Sequence, residues 1–163
     1  MNTNGEITLA IYASTSGFGY ACMDGTKLLD YGVKSLRPRD VKKALKQIEM
    51  LLDYFIPTII LVQTPYGKYS RGGKRTKKLI EDILRQCEEN GIEVRQYSRD
   101  QIRYIFKQFK ATSKYEIAKK IAEWFPELKQ KMPTKRKLWQ PESYYMGIFD
   151  ALSLICTHYY ITQ

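Results

Sequence analysis

The sequence has little to coordinate a structural metal. Its 163 residues include one histidine, His158, and three cysteines, Cys22, Cys87 and Cys156, with no Cys-x-x-Cys pair among them. Zinc modules need four such ligands at short, regular spacings, so that class is excluded. Cysteines so far apart also fit no disulfide framework and read as buried reduced thiols of a cytoplasmic protein. The N-terminus lacks a basic cluster followed by an apolar run, so no signal peptide is expected. Long apolar runs are scarce as well. The one candidate, 144–161, contains Asp150 and His158 and has no companion span, which marks it as a core helix and leaves no membrane partner. Repeats, low-complexity tracts and internal linkers are missing too. With 44% hydrophobic and 27% charged residues, the chain reads as a single globular domain over 1–163.

What the sequence has in excess is positive charge. It carries 27 Lys+Arg against 17 Asp+Glu, a net charge of +10 and a pI near 9.4. The surplus is one-sided: 63–140 holds 20 basic and 9 acidic residues, whereas the remainder holds 7 and 8. Solubility alone would spread such charge; a face that meets a polyanion concentrates it.

Hydrophobic periodicity gives an order of elements. Residues 6–13, 18–23 and 27 to about 35 read as three strands, the last two joined by the hairpin signal Asp24-Gly25. Pro38 opens a helix whose apolar positions run from Val41 to Phe55 at helical spacing, and Pro57 ends it. The uniformly apolar run 58–63 is a central parallel strand. A helix over 75–90 closes at Asn90-Gly91, and a fifth strand spans 92–97. Helices follow at about 98–109 and 113–125, then a basic, proline-containing loop, then a last helix from Glu142 to near Tyr160. Three strands in a meander followed by helix, strand, helix, strand, helix predict an α/β fold of the ribonuclease-H-like type. Its five-stranded mixed sheet, with the first three strands antiparallel, is flanked by helices.

Particular residues carry a more specific likeness. The last helix reads Asp150-Ala151-Leu152-Ser153-Leu154-Ile155-Cys156-Thr157-His158. Upstream stand Tyr97-Ser98-Arg99-Asp100-Gln101-Ile102-Arg103 and Thr112-Ser113-Lys114-Tyr115-Glu116-Ile117-Ala118. Near the start, Ala10-Ile11-Tyr12-Ala13-Ser14 is followed four residues later by Gly19-Tyr20. Together these segments resemble the RuvC-like Holliday-junction resolvases over nearly the whole chain. The resemblance implies junction DNA as substrate, a role in DNA recombination and a homodimer, since a four-way junction presents two related strands.

It also implies four carboxylates holding two divalent ions about 4 Å apart, one to activate water and one to stabilise the leaving oxygen. Carried over residue by residue, the first-strand Asp position is Tyr12. The fourth-strand Glu position is Gln63 counted from Pro57, or Val62 if the following Gln is matched instead. The paired acid of the last helix is Gly147. Asp150 alone survives as a catalytic or metal-binding remnant. One carboxylate leaves about three charges of a two-Mg²⁺ centre uncompensated, so the expectation is a pseudo-nuclease with no cofactor. Glu142, Asp24, Asp30 and Glu6 are the acids from which a Mg- or Mn-dependent site would have to be rebuilt, but capping accounts for Glu142, turn roles account for Asp24 and Asp30, and Glu6 begins the first strand, at the wrong end for such a site.

The binding features are better kept. Arg99, Arg103, Lys107 and Lys110, spaced four, four and three, line one helix face, while Ile102, Phe106 and Phe109 face elsewhere. After the fourth strand, Lys68, Arg71, Lys74, Arg75, Lys77 and Lys78 surround Gly72-Gly73, with Tyr66 and Tyr69 as rings able to stack on a base. Lys114 and the cluster Lys135, Arg136 and Lys137, which continues Lys129 and Lys131, complete the set, and Trp139 reads as an anchor of that loop to the core. No groove-reading motif accompanies them, so shape-directed binding to branched or structured DNA is expected, with RNA left open as a partner. Two other readings stay open: an active crossover-junction endonuclease, and a scaffold whose basic face meets an acidic protein.

Overall fold

The computed structural model describes residues 6–36, 40–66, 73–137, 139–140 and 143–163. Three strands, β1 (Ile7–Ser14), β2 (Gly17–Asp24) and β3 (Lys27–Ser35), form an antiparallel meander. Two parallel strands, β4 (Ile59–Gln63) and β5 (Glu93–Tyr97), extend it on the β1 side, giving the order β3-β2-β1-β4-β5. Parallel neighbours need crossovers, and helices α1 (Val41–Phe55) and α2 (Lys74–Glu89) supply them. The chain ends in α3 (Arg99–Lys107), α4 (Lys114–Trp124) and α5 (Met146–Ile161).

Local chemistry sets the helix ends. Asp40 caps α1 by accepting from the backbone N–H groups of Lys42 and Lys43; the expected opening at Pro38 lies outside the described residues. Ser98 with Gln101, and Ser113 with Glu116, form reciprocal capping boxes that start α3 and α4. Gly91 has φ +67°, which its missing Cβ permits, and it turns the chain from α2 into β5. The segment expected to be a loop after α4 begins instead with a 3-10 turn, Pro126–Lys131, because proline at its first position loses no hydrogen bond there.

The pleat divides the core. Leu9, Ile11, Ile60 and Val62 pack under α1 and α2 with Ile48, Leu79 and Ile83. Ala10, Ala21, Ile59 and Leu61 pack on the other side against α3, α4 and α5. Every residue from Ile148 to Thr157 is buried, so α5 is a central core helix, as its apolar composition and Asp150 predicted. Burying side chains such as Phe149 and Leu152 stabilises the fold by roughly 1.5–3 kcal/mol each. Among the described residues no helix is long and apolar enough to cross a membrane. The three cysteines are buried and unbridged, as expected.

Candidate nucleic-acid interface

The acid positions named by the resemblance come together at one end of the sheet. Tyr12 on β1 stands opposite Gly19 on β2. Gly19 lies against Gly147 of α5 so tightly that a Cβ on Gly19 would sit 2.2 Å from the Gly147 carbonyl oxygen. Only glycine permits this approach of strand and helix backbone, and it brings α5 down onto the sheet one turn before Asp150. On β4 the choice between Gln63 and Val62 is decided by the pleat. Val62 packs under α1 and α2, whereas Leu61, and with it Gln63 two residues on, belongs to the α5 side, where Tyr12 lies.

Gln63 is buried, and both ends of its carboxamide are used. The Ala13 N–H donates to Oε1 at 3.0 Å, and Nε2 donates to the Ala13 carbonyl at 2.7 Å. The side chain thus acts as a stand-in peptide group. A glutamate could accept the first bond but could not make the second, because a carboxylate has no donor.

Asp150, also buried, meets a cation of the protein itself. The Lys114 ammonium, in the first turn of α4, donates to Asp150 Oδ2 at 3.2 Å and lies 5.8 Å from the centre of the Tyr12 ring. The Asp150 side chain is 9% exposed and that of Lys114 34%, so the pair is drier than an ordinary surface ion pair. Among the described residues, no three of His, Cys, Asp and Glu assemble into a metal-ligand set. These described positions thus offer one carboxylate, Asp150, where the resemblance implies four.

The substitute acids lie elsewhere. Asp30 accepts a 3.0 Å bond from the Tyr20 hydroxyl, and Tyr20 belongs to the α1/α2 side, across the sheet from Asp150. Burial, then Asp30, raises the Tyr20 phenol, and the same two causes push the neighbouring Cys22 thiol up to about 12. Asp24 pairs with Ile7, and Glu6 is exposed just before it, at the end of β1 away from Tyr12. Glu142 lies outside the described residues.

The basic residues occupy separate elements. On α3, Arg99 and Arg103 are half-buried and Lys107 exposed, while Ile102, Ile105 and Phe106 pack inward. Lys110 follows, exposed and with φ +61°, where the Ala111 N–H bonds back to the Phe106 carbonyl at 3.2 Å. A lysine in that left-handed position costs on the order of 1 kcal/mol relative to the glycine usually found there. Lys68 and Arg71 lie outside the described residues. Lys74, Arg75, Lys77 and Lys78 stand on the first turns of α2, a helix start with no acidic residue and no side-chain cap. Lys78 is paired with Asp82 at 3.0 Å, whereas Lys74, Arg75 and Lys77 add positive charge to the positive end of the macrodipole, so this end suits an incoming anion. Tyr66 is exposed, with its hydroxyl on Glu81 at 2.9 Å and Lys77 5.6 Å from its ring centre. Tyr69 lies outside the described residues.

Lys135, Arg136 and Lys137 are exposed in the segment before α5. Trp139 does not anchor it: the ring is 77% exposed and lies 5.3 Å from the Lys137 ammonium. Its neighbours satisfy the turn without it, since the Gln140 side chain accepts from the Lys137 N–H. Lys110 and Lys135 also border an open depression of about 640 Å³ together with Ser113, Tyr115, Lys119 and Lys120. The last two escaped the sequence reading because Glu116 and Glu123 alternate with them and give α4 the look of an ordinary solvated helix. The signal that would have found them is their distance from Lys110 along two helices joined by a tight turn.

Sheet order, crossovers and the placement of α5 define the ribonuclease-H-like fold in the form found among RuvC-like resolvases. Two solved structures of Thermus thermophilus RuvC, one of them in complex with a Holliday junction substrate, each match with a TM-score of 0.66 at 17% identity. The match covers 96% of this chain and 94–95% of theirs. The yeast mitochondrial Holliday junction resolvase Ydc2 matches with a TM-score of 0.59 at 13% identity, over 92% of this chain and 76% of that one. At these identities the likeness is one of fold. No family model and no curated protein matches the sequence.

Proposed function

We propose that this protein binds branched or structured DNA through its basic face and has lost the metal-dependent cleavage chemistry of the resolvase fold, so that it cuts poorly or not at all. The observation that carries the reading is the confinement of the positive surplus to 63–140, on a fold that in Thermus thermophilus RuvC holds a Holliday junction substrate. Phosphates of the duplex arms meet Lys107, Lys110 and the start of α2, and binding itself needs no cofactor. Tyr12, Gln63 and Gly147 offer no carboxylate beside Asp150, which supports the reading of a pseudo-nuclease; the cytoplasm as its place of action and recombination intermediates as its targets belong to the proposal. A homodimer suits the two related strands of such a junction.

The test is a labelled four-way junction titrated with protein, with and without Mg²⁺ or Mn²⁺, against a matched duplex, and resolved on native and denaturing gels. A salt-sensitive shift favouring the junction, without nicks, is the expected result. Specific metal-dependent nicks that disappear in Asp150→Asn would make the protein an active endonuclease. No shift at low salt would remove DNA from its function and leave an acidic protein as partner.

A further inference from the structure

The Tyr12, Lys114 and Asp150 cluster does more than lack ligands for a metal. We infer that the Lys114 ammonium is a resident counter-ion that takes the place of a divalent cation at Asp150 and keeps Mg²⁺ and Mn²⁺ out. The inference rests on the reading of Tyr12, Gln63 and Gly147 as former acid positions, and it adds what fills the charge deficit at the one that survives.

Three features make the ammonium a fixture. Lys114 is the first residue of α4, and the Ser113–Glu116 capping box sets that end by two reciprocal bonds. Asp150 lies in the second turn of the most buried helix of the fold. Both partners thus project from rigid elements, and the 3.2 Å contact between them spans 36 residues of sequence. On its other side the ammonium faces the Tyr12 ring, whose π-cloud holds a monovalent cation well but gives a hard divalent ion none of the oxygen ligands it requires.

Among the described residues, the former acid positions offer no second carboxylate. Gly147 has no side chain to donate, and the Gln63 carboxamide is committed at both ends to Ala13. A divalent ion reaching Asp150 Oδ2 would stand within a few ångströms of the ammonium, at a carboxylate already neutralised by it. Repulsion by the ammonium, and a single carboxylate among the described residues that surround it, disfavour it together.

The experiment titrates Mn²⁺ alone into the full-length protein, reading the free ion by electron paramagnetic resonance. Wild type is expected to show no site with Kd below about 1 mM. Lys114→Glu, which exchanges the ammonium for a second carboxylate, is expected to gain one site at least tenfold tighter, which Asp150→Asn in the same background removes. Lys114→Gln, the milder change, gives a weaker gain and serves if circular dichroism shows Lys114→Glu unfolded. A submillimolar site in wild type that Asp150→Asn abolishes overturns the inference. So does a folded lysine variant that binds Mn²⁺ no better than wild type. Junction binding and nicking are scored on the same samples. In wild type, an Asp150-dependent Mn²⁺ site without nicks refutes the resident counter-ion alone, whereas the absence of a junction shift refutes the DNA-binding reading and leaves the Mn²⁺ result standing.

Discussion

At Asp150 a buried carboxylate meets Lys114 at 3.2 Å, whereas Lys107 and Lys110, at the end of α3 and just beyond it, hold their ammonium groups in solvent. The first region is closed on itself: Gln63 satisfies Ala13, Lys114 satisfies Asp150, and Gly19 meets Gly147 backbone to backbone. The second is left open, down to a lysine held in a left-handed conformation and a helix start crowded with cations. A protein that spends its polar groups internally at one place and exposes them at another separates packing from recognition. In an active two-metal nuclease one site would have to do both.

That contrast can be broken experimentally. The largest effect is expected from salt. If six to ten phosphates are contacted, junction affinity falls roughly 10³- to 10⁵-fold between 50 and 200 mM salt in a gel-shift or anisotropy titration. Reversing two charges in the open region, Lys107→Glu with Lys110→Glu, should weaken binding about 50- to 100-fold near 100 mM salt and flatten the log–log salt slope by about two. Asp150→Asn should leave both quantities within about twofold, and an equal loss in the two variants would erase the distinction between the regions.

Changes in the closed region should register as stability instead. Gln63→Glu sets a carboxylate against the Ala13 carbonyl and is expected to cost about 1–3 kcal/mol, read as a lower urea midpoint at unchanged slope. The smallest effect concerns His158, whose Nδ1 lies 2.6 Å from the Tyr97 hydroxyl. Burial first, and Arg95 second, hold this imidazole below its ordinary 6.5. The folded protein therefore binds fewer protons than the unfolded chain between that depressed value and 6.5. The contribution to stability is complete above this window and is lost as pH falls through it. Urea melts at pH 7.5 and 5.0 should show a larger acid loss for wild type than for His158→Gln. Equal losses would mean that the ring is not held neutral.

Most of the architecture was legible in the sequence because it depends on neighbours. Ser98 with Gln101 and Ser113 with Glu116 announce two helix starts, Asp24-Gly25 a hairpin, and the run Ile59–Gln63 a central strand. The site was legible only as a set of positions. The contacts that decide its chemistry join residues 36 and 50 apart in the chain, Lys114 with Asp150 and Gln63 with Ala13, and periodicity carries no information about them. Lys114 therefore read as one more basic residue, although its charge is spent on Asp150. Trp139 failed differently. A large ring usually seeks the core, but here the polar groups around it close their turn alone and leave it to Lys137 and solvent.

The Gln63 carboxamide has a consequence for how the chain finds its own fold. All five residues of β4 are buried, and it is flanked by strands on both sides, so hydrophobicity scores a slide of two residues along β1 almost as well as the native alignment. A carboxamide that needs one N–H and one carbonyl from a single residue is less tolerant. Ala13 presents both only when Ile11 lies beside Val62. Gln63 thus works as a vernier mark on an otherwise unmarked strand, rejecting misaligned pairings that the apolar core alone would accept.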